Sequence, residues 1–511
     1  MTEVCRLDAV GLDDVPAVAR SGRQVEVGPV VLERVAEGRA VVERLAGSSD
    51  PVYGISTGFG ALATVSIPPD RRTALQKSLI RSHAAGTGPL VDDEVVRAMM
   101  LLRLKTLASG LTGVRPVVVT TLQAMLNAGI VPTVHAYGSL GCSGDLAPLS
   151  HVALAAMGEG WVRSSTGVES AADALASAGI TPLVLQEKEG LALINGTDGM
   201  LGMLILALSD LRSLLRISDL VTAMSVEALL GTDKVYSEQL HALRPHPGQA
   251  QSAANIRRLL TDSPIVASHR ADTEHLVQDA YSLRCSPAVA GAARDTMDHA
   301  RAVAERELAS TIDNPVILPG DRVESNGNFH GAPIAYALDF LAIAAADVAS
   351  ISERRTDRML DRSRSQGLPP FLAHETGVDS GYMIAQYAAA GIVSNLKRLA
   401  TPASVDSIPS SAMQEDHVSM GWAAGLKLRE AVDGLRRVLA IELLVASRAL
   451  DLRAPLRAAA GTGAAVQTLR EAGVPGPGPD VMVGDQIDRV VSLLESGAVL
   501  ASVNAQIGDL D

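Results

Sequence analysis

The sequence predicts a mainly α-helical protein, with a long central helix bundle and a smaller, loop-rich N-terminal domain. Three observations indicate this fold class. Alanine and leucine dominate the chain, whereas aromatic residues make up only 3% of it. Apolar residues recur at spacings of three and four, which is the helical period, and rarely in the alternation of strands. Several segments are apolar around most of their circumference, which is typical of helices buried among other helices.

The long helices are expected mainly in the second part of the chain. Gly199–Leu229 predicts one helix of about 30 residues, roughly 45 Å long. Arg97–Leu111, Ala335–Leu360 and Gly425–Leu452 have the same apolar spacing. A final helix is predicted over Gly484–Gly497, after a glycine- and proline-rich turn.

The first part of the chain has more loop. Gly-, Ser- and Pro-rich segments interrupt its helices at Gly54–Gly60, Ala84–Pro89 and Tyr137–Pro148. Loops held on a rigid scaffold commonly carry the chemistry of an enzyme. We therefore expect two domains: a loop-rich helical domain over residues 1–199 that carries the active-site segments, and a long-helix domain over residues 200–511.

Composition excludes several classes of protein. With 47% hydrophobic and 20% charged residues in 511, the chain is not intrinsically disordered. Its net charge of −13 argues against a general nucleic-acid or anionic-membrane binder. The chain has three cysteines and no C-x-x-C motif, and its N-terminal residues do not resemble a signal peptide. Its apolar runs are shorter than the ~18–20 residues of a membrane span. These features predict a cytoplasmic protein. The apolar composition favours an oligomer.

The common cofactor and hydrolase motifs are incomplete. Gly58-Phe59-Gly60 lacks the third glycine of a dinucleotide-binding loop. His374-Glu375 lacks the second histidine of a zinc-binding helix, and no metal is expected. In the run 141–144 the spacing is G-x-S-G, whereas a hydrolase nucleophile elbow needs G-x-S-x-G.

The most unusual segment is Tyr137–Ser150, YGSLGCSGDLAPLS. Taken alone, it predicts a turn that ends at Asp145 as helix N-cap, with Leu146 opening a helix. The longer run GSLGCSGDLAPLSH, however, resembles the signature of the ammonia-lyase family that includes histidine and phenylalanine ammonia-lyases. The resemblance implies that the tripeptide 142–144 cyclises autocatalytically to 4-methylidene-imidazol-5-one (MIO), so that no external cofactor is needed.

The chemistry of this cyclisation explains the residue types. The amide nitrogen of Gly144 must approach the carbonyl carbon of Cys142, which is strained for any residue with a Cβ. Ser143 then loses its hydroxyl, and two waters leave in all. The product is an electron sink made from the backbone itself, which does the work of a bound cofactor. Alanine is commoner than Cys142 in the family, and this cysteine is a mild departure.

The resemblance extends over most of the chain and implies the helical fold, a carbon–nitrogen lyase activity and a homotetramer whose active sites borrow residues from neighbouring chains. Further segments match in order: VYGISTGFG (52–60), RSHAAG (81–86), LALINGT (191–197), QDAYSLRCSP (278–287), NFH (328–330) and QEDH (414–417).

The matched segments imply roles for single residues. Tyr53 would be the general base, and Tyr281 its partner at the MIO. Either tyrosine must titrate well below ~10 to act near neutral pH, and a nearby Arg284 would lower its pKa. Arg284 would also bind the substrate carboxylate through its planar fork. The remaining residues expected to line the substrate are Asn195, Gln278 and Phe329.

His83 and Glu415 are the residues that favour one substrate. An imidazole ring presents nitrogen atoms that need a hydrogen-bond donor or acceptor, and a carboxylate can balance its positive charge. A phenylalanine pocket would leave Glu415 desolvated and unpaired, which costs several kcal/mol. The expected reaction is therefore the elimination of ammonia from L-histidine to give trans-urocanate, the first step of histidine degradation, with Glu415 as a second candidate for the base.

Several alternatives stay open at this point. An aromatic amino acid 2,3-aminomutase would use the same MIO, and so would a phenylalanine or tyrosine ammonia-lyase. A helical scaffold without catalytic activity is a third interpretation, and a serine hydrolase that uses Ser143 is a fourth. The sequence does not decide whether the electrophile attacks the amine or the imidazole.

Overall fold

The computed structural model describes residues 4–47, 54, 55, 57, 58, 65–165, 167–270 and 277–511. Helices dominate it, which confirms the predicted mainly α class. The α-helices are, in chain order, α1 (Asp14–Ser21), α2 (Pro29–Ala46), α3 (Arg72–His83), α4 (Asp93–Leu107), α5 (Pro116–Asn127), α6 (Leu146–Ala156), α7 (Ala171–Ser177), α8 (Glu189–Ile194), α9 (Asp198–Ala228), α10 (Glu238–Ala242), α11 (Pro247–Leu259), α12 (Pro264–Ser268), α13 (Tyr281–Arg284), α14 (Ser286–Ala309), α15 (Ala332–Leu360), α16 (Met383–Leu399), α17 (Gly421–Asp451), α18 (Ala460–Glu471), α19 (Val483–Glu495) and α20 (Ala498–Ile507).

The strands are short and pair in small sheets. They are β1 (Cys5–Arg6), β2 (Val25–Glu26), β3 (Thr87–Leu90), β4 (Val131–Pro132), β5 (His135–Tyr137), β6 (Trp161–Ser164), β7 (Gly167–Ser170), β8 (Val316–Leu318) and β9 (Arg322–Glu324). β1 and β2 pair in parallel, and the other pairs, β3–β5, β4–β6, β6–β7 and β8–β9, are antiparallel. The β3–β5 pair, which aligns Thr87 with Tyr137, joins the chain after α3 to the chain that leads into residues 142–144.

The predicted long helices are present within a few residues of their expected ends. α4 begins at Asp93, four residues before the predicted Arg97, because acidic residues suit the positive end of a helix. At the C-terminus of the chain the predicted helix ends at Glu495. Gly497 then takes a left-handed conformation (φ 73°), and a second helix, α20, follows that the sequence pattern did not predict.

The chain folds into two compact units. Unit 1 contains Met1–Ser209, Ala300–Asp339 and Pro402–Leu426, and unit 2 contains Asp210–His299, Phe340–Thr401 and Lys427–Asp511. Both units are discontinuous because the long helices α9, α14, α15 and α17 each run from one into the other. The division into domains 1–199 and 200–511 therefore stays a prediction.

In the part of the chain that the structure describes, two helical stretches, Glu189–Ala228 and Ala332–Leu360, are long and apolar enough to cross a membrane by length and composition alone, and α19 with α20 passes the same test only as one bent pair. The unbroken apolar runs within these stretches are shorter than a membrane span. In Glu189–Ala228 the most apolar window is 100% buried inside the protein, and in Ala332–Leu360 it is 61% buried. Packing within the chain thus accounts for the apolar character of the first stretch.

Candidate active site

The loop around residues 142–144 is buried and needs glycine at a fixed place. Cys142 and Ser143 each expose only 9% of their surface. Gly144 has φ 76°, and a Cβ built on it would lie 2.2 Å from the carbonyl oxygen of Gly196. Because no L side chain fits such a contact, this position admits only glycine. On the other side, Ser419 Oγ donates to the carbonyl oxygen of Gly141 at 2.7 Å.

Asp145 connects this loop to the start of the long helix α9. Its Oδ2 accepts hydrogen bonds from the backbone N–H groups of Gly199 (2.9 Å) and Met200 (3.0 Å), and its Oδ1 accepts from Ser139 Oγ (3.0 Å). The expectation that Asp145 caps its own helix is wrong in one respect. It occupies the N-cap position of α6 but makes no side-chain cap bond there. Its carboxyl group satisfies the orphan N–H groups of α9 instead.

The Asn195 turn packs directly against the tripeptide. The Asp145 N–H donates to the Gly196 carbonyl at 2.7 Å. Below the turn, the fully buried Arg103 donates to the carbonyl oxygens of Ala192 (3.0 Å) and Asn195 (2.9 Å). Asn195 is 4% exposed, and its Oδ1 has no hydrogen-bond partner among the described residues. A buried acceptor without a partner beside the tripeptide is a place where a further group can bind.

Glu415 lies at the tripeptide although it is far away in sequence. Its carboxylate accepts from Cys142 Sγ (3.3 Å), Ser143 Oγ (3.1 Å) and Ser410 Oγ (2.9 Å). A tight turn precedes it: Ser410 and Glu415 pair as an antiparallel bridge, and the intervening residues 411–413 all have positive φ. Three successive non-glycine residues with positive φ store conformational strain in the backbone. The fold thus holds this carboxylate in place at some cost in stability.

The charges in this cluster follow from burial and hydrogen bonding. Burial alone raises the pKa of Glu415, but the hydrogen bonds donated by Ser410, Cys142 and Ser143 outweigh it, so that its pKa lies below the ordinary value of 4.5. Burial, together with the charge of Glu415, raises the pKa of the Cys142 thiol to about 11. At neutral pH the cluster therefore contains a carboxylate and a neutral thiol that donates to it.

His83 ends α3, in unit 1. Its Nδ1 lies 2.9 Å from the Leu79 carbonyl oxygen, which only accepts, so Nδ1 carries the proton and Nε2 is the acceptor in the neutral ring. The segment after α3 is held by a hydrogen bond in which His151 Nε2 accepts from the Gly86 N–H at 3.1 Å. Burial, followed by the charge of His135, lowers the pKa of His151 and favours this neutral form. His151 is the final residue of the run GSLGCSGDLAPLSH, but the sequence alone indicates no role for it.

Phe329 belongs to a segment that contacts the loop before the tripeptide. The Gly331 N–H donates to the Gly141 carbonyl at 3.2 Å, and Phe329 itself is half-buried. The next residue, His330, places Nε2 3.3 Å from Nδ1 of His417, which lies two residues after Glu415. Both histidines fall inside the matched motifs NFH and QEDH, yet no feature of the sequence predicts that they meet.

Gln278, Tyr281 and Arg284 form a second group, which lies in unit 2. Arg284 Nη2 donates to Gln278 Oε1 at 2.8 Å, and Arg284 Nε donates to the Asp279 carbonyl at 3.0 Å. The Arg284 guanidinium carbon lies 4.6 Å from the centroid of the Tyr281 ring, a cation–π contact. Tyr281 is 71% exposed. The guanidinium and the phenol are therefore presented together on the surface of this unit.

The structure brings most of the predicted site residues into two groups. In unit 1, Cys142 and Ser143 donate to Glu415, Gly144 packs against Gly196 of the Asn195 turn, and the segment of Phe329 contacts the loop at Gly141. His83 also lies in unit 1, but its ring is bonded to Leu79 and Ser82 and not to this group. In unit 2, contacts connect Gln278, Tyr281 and Arg284. Tyr53 lies outside the described residues. Among the described residues there is no cluster of three or more His, Cys, Asp or Glu side chains arranged to hold a metal ion.

Comparison with known proteins defines the class first. Residues 10–471 match the family described as aromatic amino acid lyase, and the chain belongs to this family. Its relatives include histidine ammonia-lyase of Streptomyces avermitilis, 58% identical over 510 residues that cover 100% of this chain and 99% of the relative. Histidine ammonia-lyase of Streptomyces griseus is 59% identical over 501 residues, which cover 98% and 97%.

Solved structures agree in fold. Tyrosine aminomutase of Streptomyces globisporus superposes with a TM-score of 0.94 at 35% identity and covers 100% of both chains. Histidine ammonia-lyase of Trypanosoma cruzi has a TM-score of 0.91 at 37% identity, over 99% of this chain and 96% of the other. The fold is thus common to a lyase and an aminomutase, and the identity of the reaction must come from the site.

Proposed function

We propose that the protein is a histidine ammonia-lyase, which eliminates ammonia from L-histidine to give trans-urocanate and so begins histidine degradation. The observation that carries the proposal is the position of Glu415, whose carboxylate accepts from Cys142 Sγ and, in the chain before Ser143 loses its hydroxyl, from Ser143 Oγ. Relatives named histidine ammonia-lyase at 58% identity over the whole chain support the same reaction.

The prosthetic group of the proposal is MIO formed from residues 142–144. Two features fit it: the position of Gly144, which excludes any Cβ, and, in the turn that packs against Gly144 through Gly196, the Oδ1 of Asn195, which has no partner among the described residues. The exclusion of side-chain bulk favours the close backbone approach that ring closure needs. When formed, the group supplies an electrophilic methylidene that draws electrons from the substrate.

The residues of unit 1 are suited to an imidazole substrate. In the neutral His83 ring, Nε2 is an acceptor for an imidazole N–H. Glu415 is ionised at neutral pH and can accept from, or balance, the other side of such a ring. A phenyl ring offers neither the His83 nitrogen nor the Glu415 carboxylate a hydrogen-bond partner. These two residues therefore favour L-histidine over L-phenylalanine.

The residues of unit 2 are suited to the other end of the substrate. Arg284 donates to Gln278 and Asp279 and has further donors without a partner among the described residues, and a guanidinium binds a carboxylate through two parallel hydrogen bonds. The ring of Tyr281 contacts the Arg284 guanidinium, and we assign Tyr281 to the reacting centre. Tyr53 or Glu415 removes the β-proton, and a fixed carboxylate holds the substrate for that step.

The proposal includes a homotetramer with shared active sites, in the cytoplasm. Exposed apolar side chains support the association: Tyr336, Phe340 and Ile343 lie on one face of α15 at positions i, i+4 and i+7, each 45–52% exposed. Such a stripe is typical of a helix that packs against another chain. Because Tyr281 is exposed in the single chain, we propose that Tyr281 or Tyr53 reaches the tripeptide of a different subunit.

The test is to incubate the purified protein separately with L-histidine, L-phenylalanine and L-tyrosine, and to follow ammonia together with the ultraviolet absorption of a conjugated acid. We expect ammonia and urocanate from L-histidine, at the highest kcat/KM of the three substrates. Conjugated product only from phenylalanine or tyrosine would contradict the proposed substrate. A β-amino acid as the main product would identify a 2,3-aminomutase, which the 35% identical tyrosine aminomutase makes the second candidate.

A further inference from the structure

A buried ion pair lies directly beneath the short helix α13, which carries Tyr281 and Arg284. Arg355 and Glu442 are both fully buried, and the guanidinium donates to the two carboxylate oxygens at 2.5 and 2.8 Å. Ser225 Oγ (2.7 Å) and Ser352 Oγ (2.6 Å) also donate to Glu442. The carboxylate is therefore fully satisfied, which is the condition under which a buried pair is stable.

One arm of this guanidinium points away from the carboxylate. Arg355 Nη1 donates to the carbonyl oxygen of Ser282, within α13, at 3.2 Å and to Oγ of Ser286, the first residue of α14, at 3.4 Å. Ser286 in turn lies 3.0 Å, Oγ to Oγ1, from Thr222 of α9. The buried charge is thus linked by hydrogen bonds to the backbone of the segment that carries the substrate-binding side chains.

A buried tyrosine holds the same segment from a second direction. Tyr236 is fully buried, and its hydroxyl donates to the Leu283 carbonyl at 2.9 Å. The chain just before α13 is held by the Thr232 N–H, which donates to Asp279 Oδ2 at 2.8 Å. In a four-residue helix the carbonyl groups are mostly without intrahelical partners. Here Arg355 and Tyr236 donate to two successive carbonyl oxygens of α13, those of Ser282 and Leu283.

We infer that Tyr236 and the Arg355–Glu442 pair are positioning residues for substrate carboxylate binding, which act by fixing the backbone of α13 under Arg284. The inference rests on the proposed role of Arg284. The inner side of α13 is fastened at the Ser282 and Leu283 carbonyl oxygens, while Tyr281 is exposed on its outer side. A rigid support matters because a bidentate contact loses strength when the guanidinium is displaced or tilted.

The test uses two ligands that share the imidazole and differ in the group on its side chain. 3-(Imidazol-4-yl)propionate carries a carboxylate, and histamine carries an ammonium group and no carboxylate. Inhibition constants for both are measured against L-histidine turnover, in the full-length enzyme and its variants. Tyr236→Phe removes only the hydroxyl that donates to Leu283. The control is Tyr382→Phe, because Tyr382 is also buried and its hydroxyl donates to Gln486 Oε1 (2.9 Å), away from α13.

We expect Tyr236→Phe to weaken binding of the propionate about five-fold, which is the effect of losing one buried hydrogen bond. The KM for L-histidine should rise by a similar factor. Binding of histamine should change less than about two-fold. Tyr382→Phe should change neither constant by more than about two-fold. Arg355→Lys, which keeps the charge but loses the fork, should act in the same direction, and serves as the test if Tyr236→Phe does not fold.

Equal weakening of both ligands by Tyr236→Phe, or the same selective effect in Tyr382→Phe, would overturn the inference. An unchanged propionate constant in both Tyr236→Phe and Arg355→Lys would overturn it as well. Failure of the proposed function has a different signature: the unaltered enzyme would not turn over L-histidine, or Arg284→Lys would leave its affinity for the propionate unchanged.

Discussion

Replacing Asp145 with alanine removes the acceptor for two backbone N–H groups at the start of α9. Both groups are buried and donate to the same carboxylate oxygen. An unsatisfied buried donor costs about 1–3 kcal/mol, so we expect Asp145→Ala to lose about 2–6 kcal/mol of unfolding free energy. Asp145→Asn keeps a carbonyl oxygen for these N–H groups, and its amide can donate to Ser139 Oγ, so it should lose only about 1 kcal/mol.

The dependence of this stability on pH has a definite sign. Burial, the largest cause, raises the pKa of Asp145 from 3.8 to about 7. The folded protein therefore retains a proton that the unfolded chain releases. The contribution of Asp145 to stability is greatest below pH 3.8 and falls as the pH rises to about 7. The full shift corresponds to at most about 4 kcal/mol. Asp145→Asn, which does not titrate, should thus gain stability relative to the natural protein as the pH rises.

The assay is urea unfolding of the natural protein and both variants, followed by circular dichroism at several values between about pH 5 and pH 7.5. If the two variants unfold at the same urea concentration, Asp145 does not cap α9. If the difference between the natural protein and Asp145→Asn stays constant over this range, the carboxyl group does not titrate there, and burial does not raise its pKa as described.

Other substitutions test the site directly. Gly144→Ala forces a Cβ into the Gly196 carbonyl oxygen, so we expect chains of full mass and a loss of histidine turnover of about 10³-fold or more; a mature, active protein would contradict this. Glu415→Gln should lower kcat/KM for L-histidine about 10²-fold. The factor should be the same from about pH 5.5 to 7.5, because the lowered pKa of Glu415 keeps its carboxylate ionised throughout this range. A factor that grows with pH would mean that Glu415 titrates in this range. Arg284→Lys loses the planar fork and should raise KM about ten-fold, measured by initial rates; an unchanged KM would remove Arg284 from carboxylate binding. His83→Phe should reduce turnover of L-histidine more than that of L-phenylalanine in parallel assays, and an equal reduction would show that His83 does not select the ring.

The sequence was sufficient to predict the long helices. Helical spacing located α9, α15 and α17 within four residues, because a helix buried on most sides must be apolar over its whole length. The cyclisation of residues 142–144 stays a prediction, which depends on the resemblance of one continuous run, GSLGCSGDLAPLSH, to the ammonia-lyase signature. Element ends depended on single residues such as Gly497, whose left-handed conformation separates two helices that the pattern alone did not resolve.

The contacts between distant segments do not follow from the spacing of residues along the chain. Both helix N-termini offer the same N–H groups, so nothing in the spacing indicates that Asp145 accepts from those of α9 rather than those of its own helix. The resemblance assigns Glu415 to the site, but its hydrogen bond to Ser143, 272 positions away, depends on a strained turn that contains no glycine and that the sequence does not predict. Nothing in the local sequence marks His151, Arg355 or Tyr236, and only their hydrogen bonds to Gly86, Ser282 and Leu283 show which segments they position.

The most direct test of the proposed chemistry is the mass of the intact protein, measured on a preparation that is turning over L-histidine. We expect the chain to be lighter than its sequence by two waters, with the deficit confined to the peptide that contains residues 142–144. A chain of full mass that still forms urocanate would contradict the central claim.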